Sequence, residues 1–248
     1  MEAAQIIRDA VTRVSYLRQI HTSDPNLAAR VKAVKAFQAR RFAGTYADLL
    51  HSGSYQEAAQ FFLEKLYSDK DYTDRDAQFS RIAGALQTIF PKQVVATAVS
   101  LAELHVLTEE LDHSMARVWP DAFAMDAVSD CRRYVAAWRL VGDRGARGRQ
   151  LQIVQDIGRD LARLTRMPGL RLMLKMMRKP AQAAGLASLQ EFLESGFDTF
   201  SGMSRKPKGV EIFLSLIEER ESALIALLFD GEAVACETEL AITMGKAR

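Results

Sequence analysis

Ser54 to Pro91 reads SYQEAAQFFLEKLYSDKDYTDRDAQFSRIAGALQTIFP, and its pattern decides the fold class. Ser54 and Glu57 have capping-box spacing, in which each side chain bonds the other residue's backbone N–H. Ala58, Phe61, Phe62 and Leu66 then fall near one helical face, with Tyr67 beside them. The polar run from Ser68 to Thr73 stops that helix. Thr73 and Asp76 repeat the cap spacing, and Phe79, Ile82, Leu86 and Ile89 follow at three- and four-residue intervals. Two start signals and two apolar stripes agree, so the stretch is expected to form a helical hairpin.

The same pattern extends outward. A helix is expected over Glu2–Ile20, and Ser23 or Asp24 is placed to cap the next one, with Pro25 at its first position. That second helix carries Leu27, Val31, Val34, Phe37, Tyr46 and Leu49 to His51, with Gly44 as a point of bending. Beyond the hairpin, a long helix runs from Pro91 to Val118, and another from Asp121 to Val141. Helices follow from Gln150 to Met167 and through a Met-rich run to Arg178. Pro180 and Gly185 bracket a brief turn. Ser188 with Glu191 repeats the capping box, and the last strong helix spans Lys206–Asp230. No period-2 alternation and no Asn-Gly or Asp-Gly hairpin is found. The expected fold is all-α, a multi-helix bundle of nine to eleven helices, read as one domain or as two coupled halves. In the two-half reading, residues 1–141 form the first half and Gly142–Arg149 (GDRGARGR) a linker. Residues 150–231 form the second half and 232–248 a weakly patterned tail.

FFLEKLYSDKDYTDRDAQFSRI, Phe61–Ile82, resembles the signature of the bacterial "FFLEELY motif" proteins, with Lys65 where the name has Glu and Ser68-Asp69-Lys70 in the turn. Met177–Met203 is similar to the same family. The resemblance implies no activity, cofactor or partner. On the residues themselves, Phe61, Phe62, Glu64, Tyr67, Arg75 and Asp76 read as structural parts of the hairpin. Gln60–Glu64 and Gln190–Glu194 share Gln-x-Phe-Leu-Glu, a pattern open to an internal duplication or to chance.

Composition is that of a globular protein: 248 residues, 48% hydrophobic and 26% charged, with only 6 prolines. No uncharged apolar run approaches the roughly 18–20 residues of a membrane span. The start MEAAQIIRDAVTRV has no basic residue followed by an apolar run, so no secretory leader is expected. Cys131 and Cys236 are isolated, which suits reduced thiols and a cytoplasmic location. A phosphate loop, a G-x-G-x-x-G and a G-x-S-x-G elbow are all missing from the sequence.

Two constellations invite a functional reading. Glu110-x-x-His113 has the spacing of carboxylate-bridged di-iron bundles, because i and i+3 share a helix side. Glu64 and Glu194 are the carboxylates that other helices would add, with iron or manganese as the metal. A second Glu-x-x-His is missing, and the bland alternative is a solvated helix face. The other constellation is basic. Arg132–Lys179 holds thirteen Lys and Arg against three acids, a net of +10, while the rest of the chain sums to −8. Arg132, Arg133, Arg171, Lys175, Arg178 and Lys179 mark it, and PGLRLMLKMMRK is a basic amphipathic helix suited to an acidic membrane surface, a partner's groove or core packing. With few aromatics interleaved, nucleic acid is not expected. The leading expectation is a non-enzymatic cytoplasmic protein that binds a partner protein or a small apolar ligand through helix faces. The metal-dependent oxidase-like bundle is the alternative, and an adaptor docking an anionic surface is a third.

Overall fold

The structure is a computed structural model that describes residues 2–51, 53–65, 73–119, 130–205 and 208–247. Among these residues it is all-α: 89% are helical and none lies in a strand. The first six helices are α1 (Glu2–Ser23), α2 (Pro25–Thr45), α3 (Ala47–His51), α4 (Gln56–Lys65), α5 (Thr73–Ile89) and α6 (Lys92–Arg117). The rest are α7 (Asp130–Val141), α8 (Arg144–Leu164), α9 (Leu170–Met176), α10 (Arg178–Ala183), α11 (Ala187–Ser204), α12 (Gly209–Asp230) and α13 (Ala233–Lys246). Thirteen described helices exceed the nine to eleven expected, for three local reasons. The second predicted helix breaks into α2 and α3 after Gly44-Thr45. The Met-rich run divides at Met177, and the supposed turn at Pro180 is a helix ended by Gly185 at φ +68°. The tail after Glu232 is helix α13, whose Cys236, Leu240 and Met244 are buried four residues apart. The predicted helix over 121–129 lies outside the described residues, as do Tyr67 and the side chain of Arg75.

Start signals fared unevenly. Asp24 caps α2 as expected: its carboxylate accepts from the backbone N–H of Asn26 at 3.0 Å and of Leu27 at 3.1 Å. At α4 the first helical residue is Gln56 and the Tyr55 carbonyl accepts from Ala59 N–H, so Ser54 lies one residue too early for a box. At α11 the N-cap is Leu186, without a side-chain cap. There Gln78 of α5 supplies the acceptor, taking Leu189 N–H at 3.0 Å.

The chain forms two compact units, each built from three segments. One comprises Met1–Tyr16, Lys70–Val106 and Gln152–Ser215, and the other Leu17–Asp69, Leu107–Leu151 and Leu216–Arg248. The borders fall inside α1, α6, α8 and α12. Gly142–Arg149 is therefore not a linker between halves: from Arg144 it is the first turns of α8, which Asp143 starts by accepting Ala146 N–H at 2.8 Å.

In the first unit, Ala4, Ile7 and Ala10 of α1 pack with Ala83 of α5 and Ala98 and Ala102 of α6. A second cluster joins Leu164, Leu170, Leu174 and Phe197. In the other unit, Val31, Val34 and Phe37 of α2 share a core with Met115, Trp119, Tyr134, Trp138, Leu228 and Leu240. Tyr134 stacks on Phe37 with ring centroids 4.3 Å apart. The α2 and α13 backbones meet at Gly44, where a Cβ would lie 2.0 Å from the Thr243 carbonyl oxygen. Only glycine permits that approach.

Candidate functional site

The four metal candidates are divided between the two units. Glu194 belongs to the first unit, and Glu64, Glu110 and His113 to the second. Arg178 holds the Glu194 carboxylate through Nε at 2.7 and 2.8 Å and through Nη2, while Gln190 Nε2 donates to it at 2.8 Å. The Arg178 hydrogen bonds keep Glu194 below the usual carboxylate range. Glu64 is exposed on α4. His113 Nδ1 lies 2.9 Å from His21 Nε2, and the two rings stack. Among the described residues no group of three or more His, Cys, Asp or Glu is placed to hold a metal ion.

One helical position away from Glu110-x-x-His113 lies an arrangement that the sequence reading missed. Glu109 and Asp112, not Glu110, face inward, at 5% and 3% exposure. Lys35 Nζ meets Glu109 Oε1 at 2.6 Å, and Gln38 Nε2 donates to Asp112 Oδ1 at 2.9 Å. Both pairs span 74 residues, so α2 and α6 run in the same direction here with matched register. One turn further along α2, Arg41 Nη1 donates to Glu221 Oε1 of α12 at 2.5 Å, and Tyr46 Oη donates to the same oxygen at 2.8 Å. From α8, Arg147 lies 4.1 Å over the Trp138 ring and donates to the Met115 sulfur at 3.0 Å. Beside it Gln150 Nε2 donates to Thr108 Oγ1 at 2.8 Å. Three buried donors in this unit, Arg41 Nε, Arg133 Nε and Trp138 Nε1, have no acceptor among the described residues.

The electrostatics follow from burial. Removal from water, reinforced by Glu109, pushes the Asp112 carboxyl up to about 6 against the pull of Lys35, Arg147 and Gln38. Burial raises the Tyr134 phenol, although Arg147 and Arg41 oppose it. Burial and then His113 lower the His21 imidazole. Burial works against the Arg41 charge, but Glu221, Tyr134 and Tyr46 outweigh it and hold the guanidinium above its ordinary range. This polar seam pairs its charges with one another and ties α2, α6 and α12 together. A sequence signal existed: Lys35, Gln38 and Arg41, like Glu109 and Asp112, sit in phase with apolar core positions.

The signature residues also find structural work. Asp76, 5% exposed, binds His105 Nε2 of α6 at 2.9 Å, and its neighbour Gln78 provides the α11 cap described above. Phe61 and Phe62 are buried. Cys131 and Cys236 are buried free thiols, and burial followed by Asp130 raises Cys131 despite its arginine neighbours.

Most of the basic region is spoken for. Arg132 pairs with Glu237, Arg133 with Asp130, Arg144 with Asp230, Arg159 with Asp156 and Arg163 with Asp160. Arg171 pairs with Asp198 and Arg178 with Glu194, while Arg139 donates to the carbonyls of Leu228 and Gly231 at the end of α12. What stands out is a shoulder in the first unit made by α9 and α10. Met177 joins the two with helical backbone angles, φ −75° and ψ −10°. Leu170, Leu174 and Ala181 face the core. On another face Leu172 and Met176 are 62% and 70% exposed. Lys175 and Lys179 are exposed beside them.

The fold and these sites define an all-α protein of two helical units, one carrying a buried polar seam and the other an exposed basic, apolar shoulder. The chain belongs to the family described as Domain of unknown function (DUF8198), which matches residues 17–235. No curated protein and no solved structure matches it.

Proposed function

We propose that this is a non-enzymatic cytoplasmic protein that acts by binding, with the α9–α10 shoulder as its contact surface. One observation carries the reading: Leu172 and Met176, a turn apart, stand 62% and 70% exposed on the stripe that holds Lys175 and Lys179. Large apolar side chains grouped in this way mark interaction sites more often than isolated ones do. The charge pairing in the seam supports the non-enzymatic part, because those side chains are committed to one another. An enclosed apolar site would favour a small apolar ligand, whereas these two side chains stand in solvent and favour a larger partner. Membership of the FFLEELY-motif group, read from Phe61–Ile82 and Met177–Met203, is part of the same proposal and brings no activity of its own. No helix among the described residues is long and apolar enough to cross a membrane, so contact with a bilayer through them would be peripheral.

The test is the state of the protein in lysates of its own cells. The native chain is expected in large complexes or in the sedimenting fraction, and Leu172→Asp/Met176→Asp is expected to run as a free monomer with unchanged circular dichroism. Identical monomeric behaviour of both would end the reading.

A further inference from the structure

We propose that the shoulder docks on an anionic lipid surface. This rests on the reading of the shoulder as the contact face and names its occupant. Leu172, Lys175, Met176 and Lys179 are spaced i, i+3, i+4 and i+7, a single stripe on helical backbone that continues through Met177. All four are exposed. The inner stripe, Leu170, Met173, Leu174, Met177 and Ala181, has the same spacing and anchors the helices to the unit. The docking stripe is therefore held out rigidly and costs little ordering on binding.

Charge supplies the occupant. Residues 161–190 contain no Asp or Glu and six Lys or Arg. Of the acids that border this run, Asp160 pairs with Arg163, Glu194 with Arg178 and Asp198 with Arg171, and Glu191 stands exposed at the start of α11. With three of its six cations neutralised in this way, the run keeps Arg166, Lys175 and Lys179 exposed, and it stays net basic. A helix that enters a protein groove presents a continuous apolar face, with three or four anchors. This stripe has two, each flanked by a lysine. That alternation suits a bilayer interface, where Leu and Met enter the boundary between headgroups and acyl chains. The lysine stems lie along it, and their ammonium groups reach lipid phosphates. Each basic residue near an anionic leaflet adds attraction that dies away within a Debye length.

The experiment is co-sedimentation of the purified full chain with vesicles of phosphatidylcholine alone or with one-third phosphatidylglycerol. Binding to the anionic vesicles is expected to exceed binding to neutral ones at least ~10-fold in ~50 mM salt, and to vanish in ~500 mM salt. Lys175→Glu/Lys179→Glu is expected to weaken it at least ~10-fold. Leu172→Ser/Met176→Ser should also weaken it while leaving the melting temperature unchanged. Lys32→Glu/Lys92→Glu, the same charge change at exposed positions elsewhere, should bind like the parent. Equal binding to both vesicle types, or equal loss in the Lys32/Lys92 control, overturns the proposal. Absence of vesicle binding, combined with lysate complexes that still depend on Leu172 and Met176, also overturns it, and makes the occupant of the shoulder a protein.

Discussion

Asp112→Asn tests whether the seam is as dry as its geometry implies. In the folded chain the Asp112 carboxyl is 3% exposed and titrates at about 6, against an ordinary value of 3.8. Between these two pH values the unfolded chain has released its proton and the native chain retains it. Stability must therefore fall as pH rises, and stop falling once the native carboxyl has ionised. At about 1.36 kcal/mol per pH unit, that shift is worth ~3 kcal/mol, lost between about pH 4 and 7. Asparagine keeps an oxygen for Gln38 Nε2 and cannot ionise. Asp48, Glu194 and Asp230 are held low by Arg220, Arg178 and Arg144 and shift stability the opposite way, but they are common to both proteins. The quantity to measure is the difference in urea-unfolding free energy between variant and parent, from pH 4.5 to 8. It should move in favour of the variant as pH rises, by ~2 kcal/mol across that window. Parallel pH profiles would refute a desolvated Asp112, and a variant that loses ground with rising pH would mean that the ionised carboxylate is the stabilised form.

Two further variants probe the packing of the same unit. Glu221→Ala leaves the Arg41 charge buried and deprives Tyr46 Oη of its acceptor. The expected loss is about 3–5 kcal/mol, and adding Arg41→Met should recover at least ~2 kcal/mol of it. Additive losses in the double variant, measured by denaturant unfolding, would mean that the two residues are not coupled. Gly44→Ala places a Cβ 2.0 Å from the Thr243 carbonyl oxygen, a clash with backbone that no rotamer relieves. A loss of about 3 kcal/mol or more, with α13 becoming the first site of limited proteolysis, is expected. An unchanged melting temperature would show that α2 and α13 do not meet at this glycine.

The all-α class, most of the helices, the Asp24 cap with Pro25 behind it, the breaks at Gly142 and Gly169 and the inner stripe of α9 were legible in the sequence. Each depends on residues within one or two turns of each other, where periodicity and capping chemistry suffice. The partners of the hairpin signature were not legible: His105 for Asp76, and the α11 N-terminus for Gln78. Two of the apparent capping boxes, Ser54 with Glu57 and Ser188 with Glu191, do not coincide with the helix starts. Backbone N–H groups at a helix start donate to any suitably placed oxygen, and at α11 that oxygen came from 111 residues away.

Only the tertiary structure decided which polar residues are buried. On α6, Glu109, Glu110, Asp112 and His113 are close enough in angle that one residue's rotation separates a solvated carboxylate from a buried one. Packing against α2 makes that choice. The tail looked weakly patterned because α13 buries a narrow stripe, Cys236, Leu240 and Met244, against a surface that other segments create. Charge shows the contrast most plainly. The excess of basic residues is a property of the sequence, but long-range pairing with Asp198, Asp230 and Glu237, among others, reduces it to a few exposed cations. Local free energies suffice to build helices, whereas the partner of each charge depends on which helices the fold brings together.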